Sequence, residues 1–313
     1  MDVEPHAIRV LITGFGPFHK FNENPSWMSV KPLHNTVLYT DPPVDLVMQD
    51  DQAIITDDME EPPRPQPIHI TALEVPMSYQ AVLAITPGLH ARPPILPLSN
   101  DPDYVFPPPP PNGYDFMFHV GLAGRGPLRL EKLAHKNGYR MKDADGQYAP
   151  AVLLPKDVSR DDALEDGRMQ QFLGMMAQLS QPHGSTVGEG VSDGVEIPPN
   201  RGFGKGYENF PDEIHTEIDV AKLIQHMKEA GIESAYSSMD AGHYLSDFIF
   251  YCSLAEAKRM SSRQEKFKDR GSPTKSAPVL SMHCPPVDQP LGTEEVTEAI
   301  KRVVLWVCSR LHQ

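Results

Sequence analysis

The amino-acid sequence predicts an α/β protein with a mainly parallel central sheet and helices on both of its faces. Short apolar runs rich in β-forming residues recur along the chain, and segments with helical spacing of apolar residues separate many of them. Strands that alternate with helices usually pair in parallel and are covered on both faces. The 313 residues are enough for one large domain of this kind.

The N-terminal half carries four β-rich runs that predict strands. They lie at 8–13, 37–48, 68–75 and 114–120. The sequence Asn24-Pro25-Ser26 predicts the start of a short helix that reaches Leu33, and a second helix is predicted over 78–85. These elements give the order strand, helix, strand, strand, helix, strand.

The C-terminal third repeats the same alternation. Apolar residues at i, i+3, i+4 and i+7 predict helices that contain Val220, Leu245 and Ile300, and Gly231 predicts the end of the first. Strands are predicted at 235–238 and 278–284. Ligands of parallel sheets bind at the carboxyl ends of the strands, and we expect the functional residues there.

We predict a single domain over residues 1–313 with long loop insertions. The insertions are predicted at 50–67, which is acidic and proline-rich, at 87–113, which holds a run of five prolines, and at 143–206, which is polar and glycine-rich. A helix is possible near 163–179. The 33 prolines of the chain, roughly double the average usage, concentrate in such stretches.

Composition and charge exclude several function classes. A formal charge of −14 argues against a general binder of nucleic acid or of a membrane surface, because both are polyanionic. No apolar run approaches the roughly 20 residues of a membrane span. No secretory signal is recognisable, and three cysteines without paired spacing suit a reducing cytosol. We therefore expect a cytoplasmic protein.

No cofactor or metal is predicted. The chain has no CxxC or HExxH motif. Its two glycine-rich segments, at 14–19 and 121–126, lack the G-x-G-x-x-G context of a dinucleotide site, and Pro17 has no N–H to offer a phosphate.

Three polar residues could carry chemistry. Ser246 lies at the start of a predicted helix, where free N–H groups and a partial positive charge favour an anion. His283 follows a strand and could act as general base and then general acid. Glu131 could orient that base. Each signal is weak alone, since serines at helix starts are usually caps and lone histidines are usually packed.

Four ordered motifs strengthen these assignments. Thr13-Gly14-Phe15-Gly16-Pro17-Phe18 is followed by N-P-S-W at 24–27, and H-V-G-L-A-G at 119–124 by Leu130-Glu131-Lys132. Two further motifs are D-A-G-H-Y-L-S-D-F at 240–248 and H-C-P-P at 283–286. In this order and content the chain resembles the type I pyroglutamyl peptidases, closer to the animal type than to the bacterial type.

The resemblance implies a single three-layer α/β/α fold and a cysteine-peptidase mechanism that removes N-terminal pyroglutamate from peptides without a cofactor. The catalytic cysteine, histidine and glutamate of the family map to Ser246, His283 and Glu131. Phe15 and Phe18 map to the aromatic residues that hold the pyroglutamate ring. Leu122 stands where bacterial members have a glutamine. The implied partner is a pyroglutamyl peptide, and nothing in the sequence indicates the oligomeric state.

Ser246 is the main departure from the family pattern. A cysteine at a helix start ionises near neutral pH, whereas a serine hydroxyl is far harder to deprotonate. Two functions therefore stay open: slow hydrolysis through Ser246, or an inactive relative that binds pyroglutamyl peptides or another partner. A cysteine-to-serine replacement made to trap substrate would give the same sequence. Cys252 is expected to be buried, Cys284 to point to the opposite face of its strand from His283, and Cys308 to pack on the last helix; neither Cys252 nor Cys284 is expected to replace the missing thiol.

Overall fold

The described part of the chain folds around a seven-stranded sheet. The computed structural model describes residues 3–18, 21–40, 65–99, 101–152, 199–266 and 276–311. The strands are β1 (Ile8–Phe15), β2 (Val37–Tyr39), β3 (Pro67–Val75), β4 (Phe116–Leu122), β5 (Leu128–Glu131), β6 (Leu133–His135), β7 (Glu213–His215), β8 (Ala235–Ser238) and β9 (Val279–Cys284). The helices are α1 (Pro25–Val30), a 3₁₀ turn (Lys31–Leu33), α2 (Tyr79–Leu89), α3 (Val220–Glu229), α4 (Leu245–Lys266) and α5 (Thr293–Cys308).

The main sheet is mixed but mostly parallel. Its strand order is β2-β3-β1-β4-β9-β5-β8, and β6 pairs with β7 in a separate two-stranded sheet. The central strands β3, β1, β4 and β9 are mutually parallel, while β2 pairs antiparallel to β3 and β5 pairs antiparallel to β9. The prediction of an α/β fold with a mainly parallel sheet is confirmed.

Two apolar cores lie on opposite faces of the sheet. One is formed with helices α1, α3 and α5, and the other with α2 and the long helix α4. Along each central strand, successive side chains alternate between these cores, as the pleat of a strand requires. Leu280, Met282 and Cys284 of β9, for example, enter the first core, whereas Val279 enters the second. The result is the expected three layers, α/β/α.

Local signals explain where the helices begin and end. Asn24 caps α1 by accepting a hydrogen bond from the Ser26 amide, and Pro25 occupies the first turn, where its missing N–H costs nothing. Asp219 caps α3 in the same way, through the Lys222 amide. At the other end of α3, Gly231 takes a positive φ of 87°, the conformation in which many helices terminate.

Some predicted boundaries were wrong. Helix α2 continues to Leu89 through Pro87, so the insertion predicted from residue 87 begins with a helical turn. A proline near a helix end removes only one amide donor, and the helix tolerates it. The strand predicted at 37–48 is regular only over Val37–Tyr39, and its part beyond residue 40 lies outside the described residues. The possible helix near 163–179 also lies outside them.

Strands β5, β6 and β7 were not predicted from the sequence. The direction of β5 has a physical reason. Only residues 123–127 separate it from β4, and a parallel return would need a crossover of a dozen or more residues. The chain therefore turns back, and β5 pairs antiparallel to β9. Among the described helices, none is both long and apolar enough to cross a bilayer.

Candidate active site

His283 and Glu131 form a buried pair across two antiparallel strands. Glu131 lies opposite Ser281 in the β5–β9 register. Ser281 precedes His283 by two residues, so Glu131 and His283 are on the same face of the sheet. From this diagonal position Oε1 of Glu131 accepts a hydrogen bond of 2.7 Å from Nδ1 of His283. Glu131 is fully buried and His283 is 4% exposed. A carboxylate can only accept, so Nδ1 carries the proton and Nε2 keeps its lone pair in the neutral ring.

The expectation that the functional residues lie at the carboxyl ends of parallel strands needs correction for Glu131. β5 and β8 run opposite to β9, so β5 reaches the site from the other edge of the sheet. Glu131 therefore lies level with Ser281, two residues before His283 along β9. At the same level of the sheet lie Thr13 of β1, His119 of β4 and Ser281 of β9, which are neighbours in register. The sequence could not reveal this, because strand direction depends on how the short β5 returns.

Ser246 lies in the first turn of α4 and faces the middle of the site. Gly121 of β4 is directly opposite His283 in the parallel β4–β9 register. A methyl group added at Gly121 would come 2.8 Å from Cβ of Ser246, closer still to its Oγ, and 3.4 Å from Cδ2 of His283. Cδ2 is the ring carbon bonded to Nε2. Both side chains thus approach one point above Gly121.

An open cavity of about 740 Å³ lies beside Ser246. It is lined by Phe15, Phe18, Phe21, Asn24, Met77, Leu122, Ala123, Tyr244 and Ser246. The structure therefore places the three residues expected to bind substrate, Phe15, Phe18 and Leu122, around the same cavity as the serine. The Phe18 and Tyr244 rings lie 5.7 Å apart between centroids and form one aromatic wall.

Several cavity residues were missed from the sequence. Tyr244 lies two residues before Ser246 and could have been suspected from that spacing. Asn24 was interpreted only as part of a helix start, yet its side chain also donates a 3.0 Å hydrogen bond to the Gly16 carbonyl and lines the cavity. Phe21 and Met77 gave no signal in the sequence. The motif at 119–124 contains Gly121, but the sequence indicates no role for this glycine.

A tier of buried polar groups lies beneath the site. Nδ1 of His119 shares a 2.8 Å hydrogen bond with the Thr13 hydroxyl. Burial lowers the pKa of His119 to about 3, so its ring is neutral. His119, Ser281 and Glu131 are neighbours in register across β4, β9 and β5. Within the described residues, Nε2 of His119, Oγ of Ser281 and Oε2 of Glu131 are buried without hydrogen-bond partners.

All three cysteines are free and buried, and burial of Cys252 was expected from the sequence. Burial raises the pKa of Cys252 and of Cys284 to about 12, and it also raises the pKa of Cys308. Cys252 packs with the α2–α4 core, whereas Cys284 packs on the opposite face of the sheet from His283. None of these thiols lines the cavity beside Ser246.

The chain is similar to animal proteins along nearly its whole length. It is 22% identical to pyroglutamyl-peptidase 1 of Mus musculus over 297 residues, which cover 94% of this chain and 87% of the mouse protein. Pyroglutamyl-peptidase 1 of Homo sapiens is 22% identical over 306 residues, covering 97% of this chain and 91% of the human protein. No protein-family model matches the sequence.

Solved structures share the fold. Pyroglutamyl peptidase I of Bacillus amyloliquefaciens matches with a TM-score of 0.51 and 18% identity, covering 97% of this chain and 98% of that one. A variant of the pyrrolidone carboxyl peptidase of Pyrococcus furiosus matches with a TM-score of 0.52 and 17% identity, covering 97% and 99%. Through its four ordered motifs, its end-to-end sequence similarity and this shared fold, the chain is similar to the type I pyroglutamyl peptidases.

Proposed function

We propose that the protein is a hydrolase that removes N-terminal pyroglutamate from peptides and that Ser246, His283 and Glu131 are its catalytic residues. One observation carries the proposal. The hydroxyl of Ser246 and the imidazole of His283 approach the same point above Gly121, and Glu131 holds that imidazole through Nδ1. A nucleophile, a base and a residue that orients the base are the minimal set for acyl transfer.

The geometry supports a two-step reaction. Nε2 of His283 removes the proton from Ser246 as Oγ attacks the carbonyl carbon of the pyroglutamyl residue. Free amide groups at the start of α4 stabilise the negative charge on the carbonyl oxygen. The imidazolium, stabilised by Glu131, then protonates the departing amine of the peptide. Water repeats the sequence on the acyl-enzyme, and the serine is released with free pyroglutamate.

The cavity suits the chemistry of a lactam ring. Pyroglutamate is small, flat and uncharged at its nitrogen, so apolar walls can bury its two faces. Phe15, Phe18 and Leu122 supply such walls, and Tyr244 adds a further ring. An ordinary N-terminal ammonium would lose its hydration there, and none of the described residues that line the cavity carries a carboxylate to replace it. The mouse and human relatives are named pyroglutamyl-peptidases, which supports the same substrate class.

The serine favours a second candidate function. A hydroxyl in a site shaped for a larger, more acidic thiol is a poor nucleophile, and loss of a nucleophile lowers rates by several orders of magnitude in other hydrolases. The alternative is therefore a protein that binds pyroglutamyl peptides without cleaving them. The two candidates share the pocket and differ only in whether Ser246 reacts.

The test compares release of a fluorescent amine from a pyroglutamyl conjugate by the unaltered protein and by Ser246→Cys. We expect slow release by the former and a gain of at least about a hundredfold in the latter. His283→Gln in the Ser246→Cys background removes the base and should abolish the gain. If only the Ser246→Cys variant releases the amine, the site is intact but lacks a working nucleophile, and this result supports the binding function. If neither folded protein releases the amine, the assignment of a pyroglutamyl-peptidase site is overturned.

Thiol alkylation provides an independent control. The buried cysteines should stay unmodified by iodoacetamide at pH 7.5 in the folded protein, because their pKa values are raised. Ser246→Cys adds one accessible thiol, and mass spectrometry should show one added group with complete loss of activity. The proposal also includes the cytosolic location expected from the sequence, which the three free cysteines suit.

A further inference from the structure

We propose that His135, His243 and Asp247 form a binding site for one divalent transition-metal ion of the Zn²⁺ class. The donor atoms of the three side chains lie within 4.8 Å of one another. His135 ends β6, His243 lies in the turn before α4, and Asp247 is in the first turn of that helix. No metal was expected from the sequence, because the spacing of these residues matches no known metal motif and the cluster arises only in the fold.

The geometry is close to what a tetrahedral ion needs. With metal–ligand bonds of about 2.0–2.1 Å, neighbouring ligand atoms in a tetrahedral site are roughly 3.3 Å apart. Nδ1 of His135 is 3.2 Å from Oδ2 of Asp247, and Nδ1 of His243 is 4.0 Å from the same oxygen. Small side-chain rotations bring all three atoms to this spacing. Two imidazoles and one carboxylate are ligands that zinc and its neighbours accept.

Two imidazoles converge on one carboxylate oxygen, and this needs an explanation. The rings of His135 and His243 lie 4.4 Å apart between centroids. The His135–Asp247 pair alone would be an ordinary buried ion pair. At 4.0 Å from Oδ2 of Asp247, Nδ1 of His243 is too far away for a hydrogen bond to the carboxylate, whereas a divalent ion bonded to both atoms would link them. Nδ1 of His243 donates a 3.0 Å hydrogen bond to the Asn137 carbonyl oxygen. A bound ion would replace that proton, and the carbonyl oxygen would then be close enough to serve as a fourth ligand.

Supporting hydrogen bonds already hold the carboxylate. Asp247 is fully buried, its Oδ2 accepts a 2.9 Å hydrogen bond from the Tyr139 hydroxyl, and its Oδ1 accepts a 3.2 Å hydrogen bond from the His135 amide. Outer partners of this kind orient the ligands of metal sites. Gly138 leaves room for the second histidine, since a Cβ there would come 2.9 Å from Nδ1 of His243.

The ion can enter from solvent. The side chains of His135 and His243 are 17% and 31% exposed, whereas Asp247 forms the floor of the site. Bound metal would tie β6 and the loop after it to the turn before α4. That turn continues into Tyr244, which lines the cavity beside Ser246. The metal site itself is independent of the proposed peptidase activity, and its test measures binding.

The experiment is titration of the full-length protein with Zn²⁺ by calorimetry and with Co²⁺ by visible absorption. We expect one ion per chain, nitrogen-ligated d–d bands for Co²⁺, and a melting temperature raised by roughly 5 °C at saturating Zn²⁺. His243→Gln and His135→Gln should each weaken binding at least about tenfold. The matched control is His226→Gln, a half-buried histidine on α3, which should bind as the unaltered protein does.

The proposal is overturned if the unaltered protein binds no ion stoichiometrically, or if folded His243→Gln binds as tightly. His243 lies in a turn at the surface, so this variant is expected to keep the fold, and circular dichroism checks that it does. His135→Gln provides the second variant, because the backbone amide of residue 135 can still donate a hydrogen bond to the buried Asp247. Equal losses in His226→Gln would identify adventitious histidine binding and would also overturn the proposal.

Discussion

Gly121 decides whether Ser246 and His283 can share one site. The nearest side-chain atoms over this glycine belong to those two residues. Any Cβ at 121 would occupy the space in which the nucleophile and the imidazole approach each other. The glycine is therefore required by a close side-chain approach rather than by its backbone conformation.

At the residue scale, the first prediction concerns this contact. In the Ser246→Cys background, Gly121→Ala should lower kcat for the pyroglutamyl conjugate at least about tenfold, because the added methyl group pushes residue 246 away from His283. The matched control is Gly124→Ala, three residues on, where a Cβ meets no atom within 4 Å. Equal activities of the two variants in steady-state kinetics would contradict the prediction.

At the element scale, the start of α1 holds the loop that carries two cavity phenylalanines. Oγ of Ser26 accepts a 3.0 Å hydrogen bond from the Phe15 amide. Asn24 caps the helix and also donates to the Gly16 carbonyl. Gly14 permits the close approach of strand and helix, since a Cβ there would lie 2.8 Å from the Trp27 Cα. One short helix thus positions the backbone between Phe15 and Phe18.

The second prediction separates the two roles of Asn24. Asn24→Ala should reduce the free energy of unfolding by about 1 kcal/mol, the usual effect of losing a helix cap. It should also raise KM for the pyroglutamyl conjugate several-fold, because Gly16 loses its anchor. Asp219→Ala removes the corresponding cap of α3 and should reduce stability by a similar amount without changing KM. Chemical denaturation and kinetics on both variants provide the measurements.

If Asn24→Ala and Asp219→Ala alter KM equally, the cap of α1 has no special part in shaping the cavity. If Asn24→Ala alters KM without loss of stability, its bond to Gly16 matters and its capping role does not. These outcomes distinguish a loop anchor from a general stabiliser, because the two variants remove the same kind of helix cap at different distances from Ser246.

At the scale of the whole molecule, the layer between the sheet and the helices α2 and α4 buries neutral histidines. Nε2 of His90 shares a 2.7 Å hydrogen bond with the Ser253 hydroxyl of α4. Burial lowers the pKa of His90 to about 3, as it does for His119. In both cases the charged form would lose its hydration inside an apolar core. Protonation of either ring therefore opposes the packed state.

The third prediction is a loss of stability in acid. The unfolded chain binds protons at these histidines below about pH 6.5, whereas the folded protein does so only near pH 3. The free energy of unfolding should thus be highest above pH 6.5 and fall as the pH is lowered toward 3. Each histidine contributes a slope of about 1.4 kcal/mol per pH unit in that window.

Denaturant titrations between pH 7 and pH 4 measure this slope. His90→Gln keeps a donor near Ser253 and should reduce the slope by about 1.4 kcal/mol per pH unit. His215→Gln, at an exposed position of β7, controls for the loss of any histidine. Identical slopes in the unaltered protein and in His90→Gln would show that His90 is not neutral in the folded state.

Much of the architecture was predictable from local patterns. Six of the seven strands of the main sheet and four of the five α-helices begin within a few residues of their predicted starts. The same patterns missed β5, β6 and β7, because pairing partners far along the chain stabilise these short segments. Ser246, His283 and Glu131 could be named from motifs, whereas Tyr244, Asn24, Phe21 and Met77 could not be assigned to the cavity.

By itself the sequence determined the fold class, the resemblance to the pyroglutamyl peptidases and the residue types available for chemistry, since apolar periodicity and motif order are properties of the linear chain. Only the tertiary structure decided which of those residues meet. The antiparallel return of β5 brings the Glu131 carboxylate to His283, and the bare backbone of Gly121 admits Ser246 beside that histidine. Such distances depend on strand direction and register, which pairings between remote segments establish.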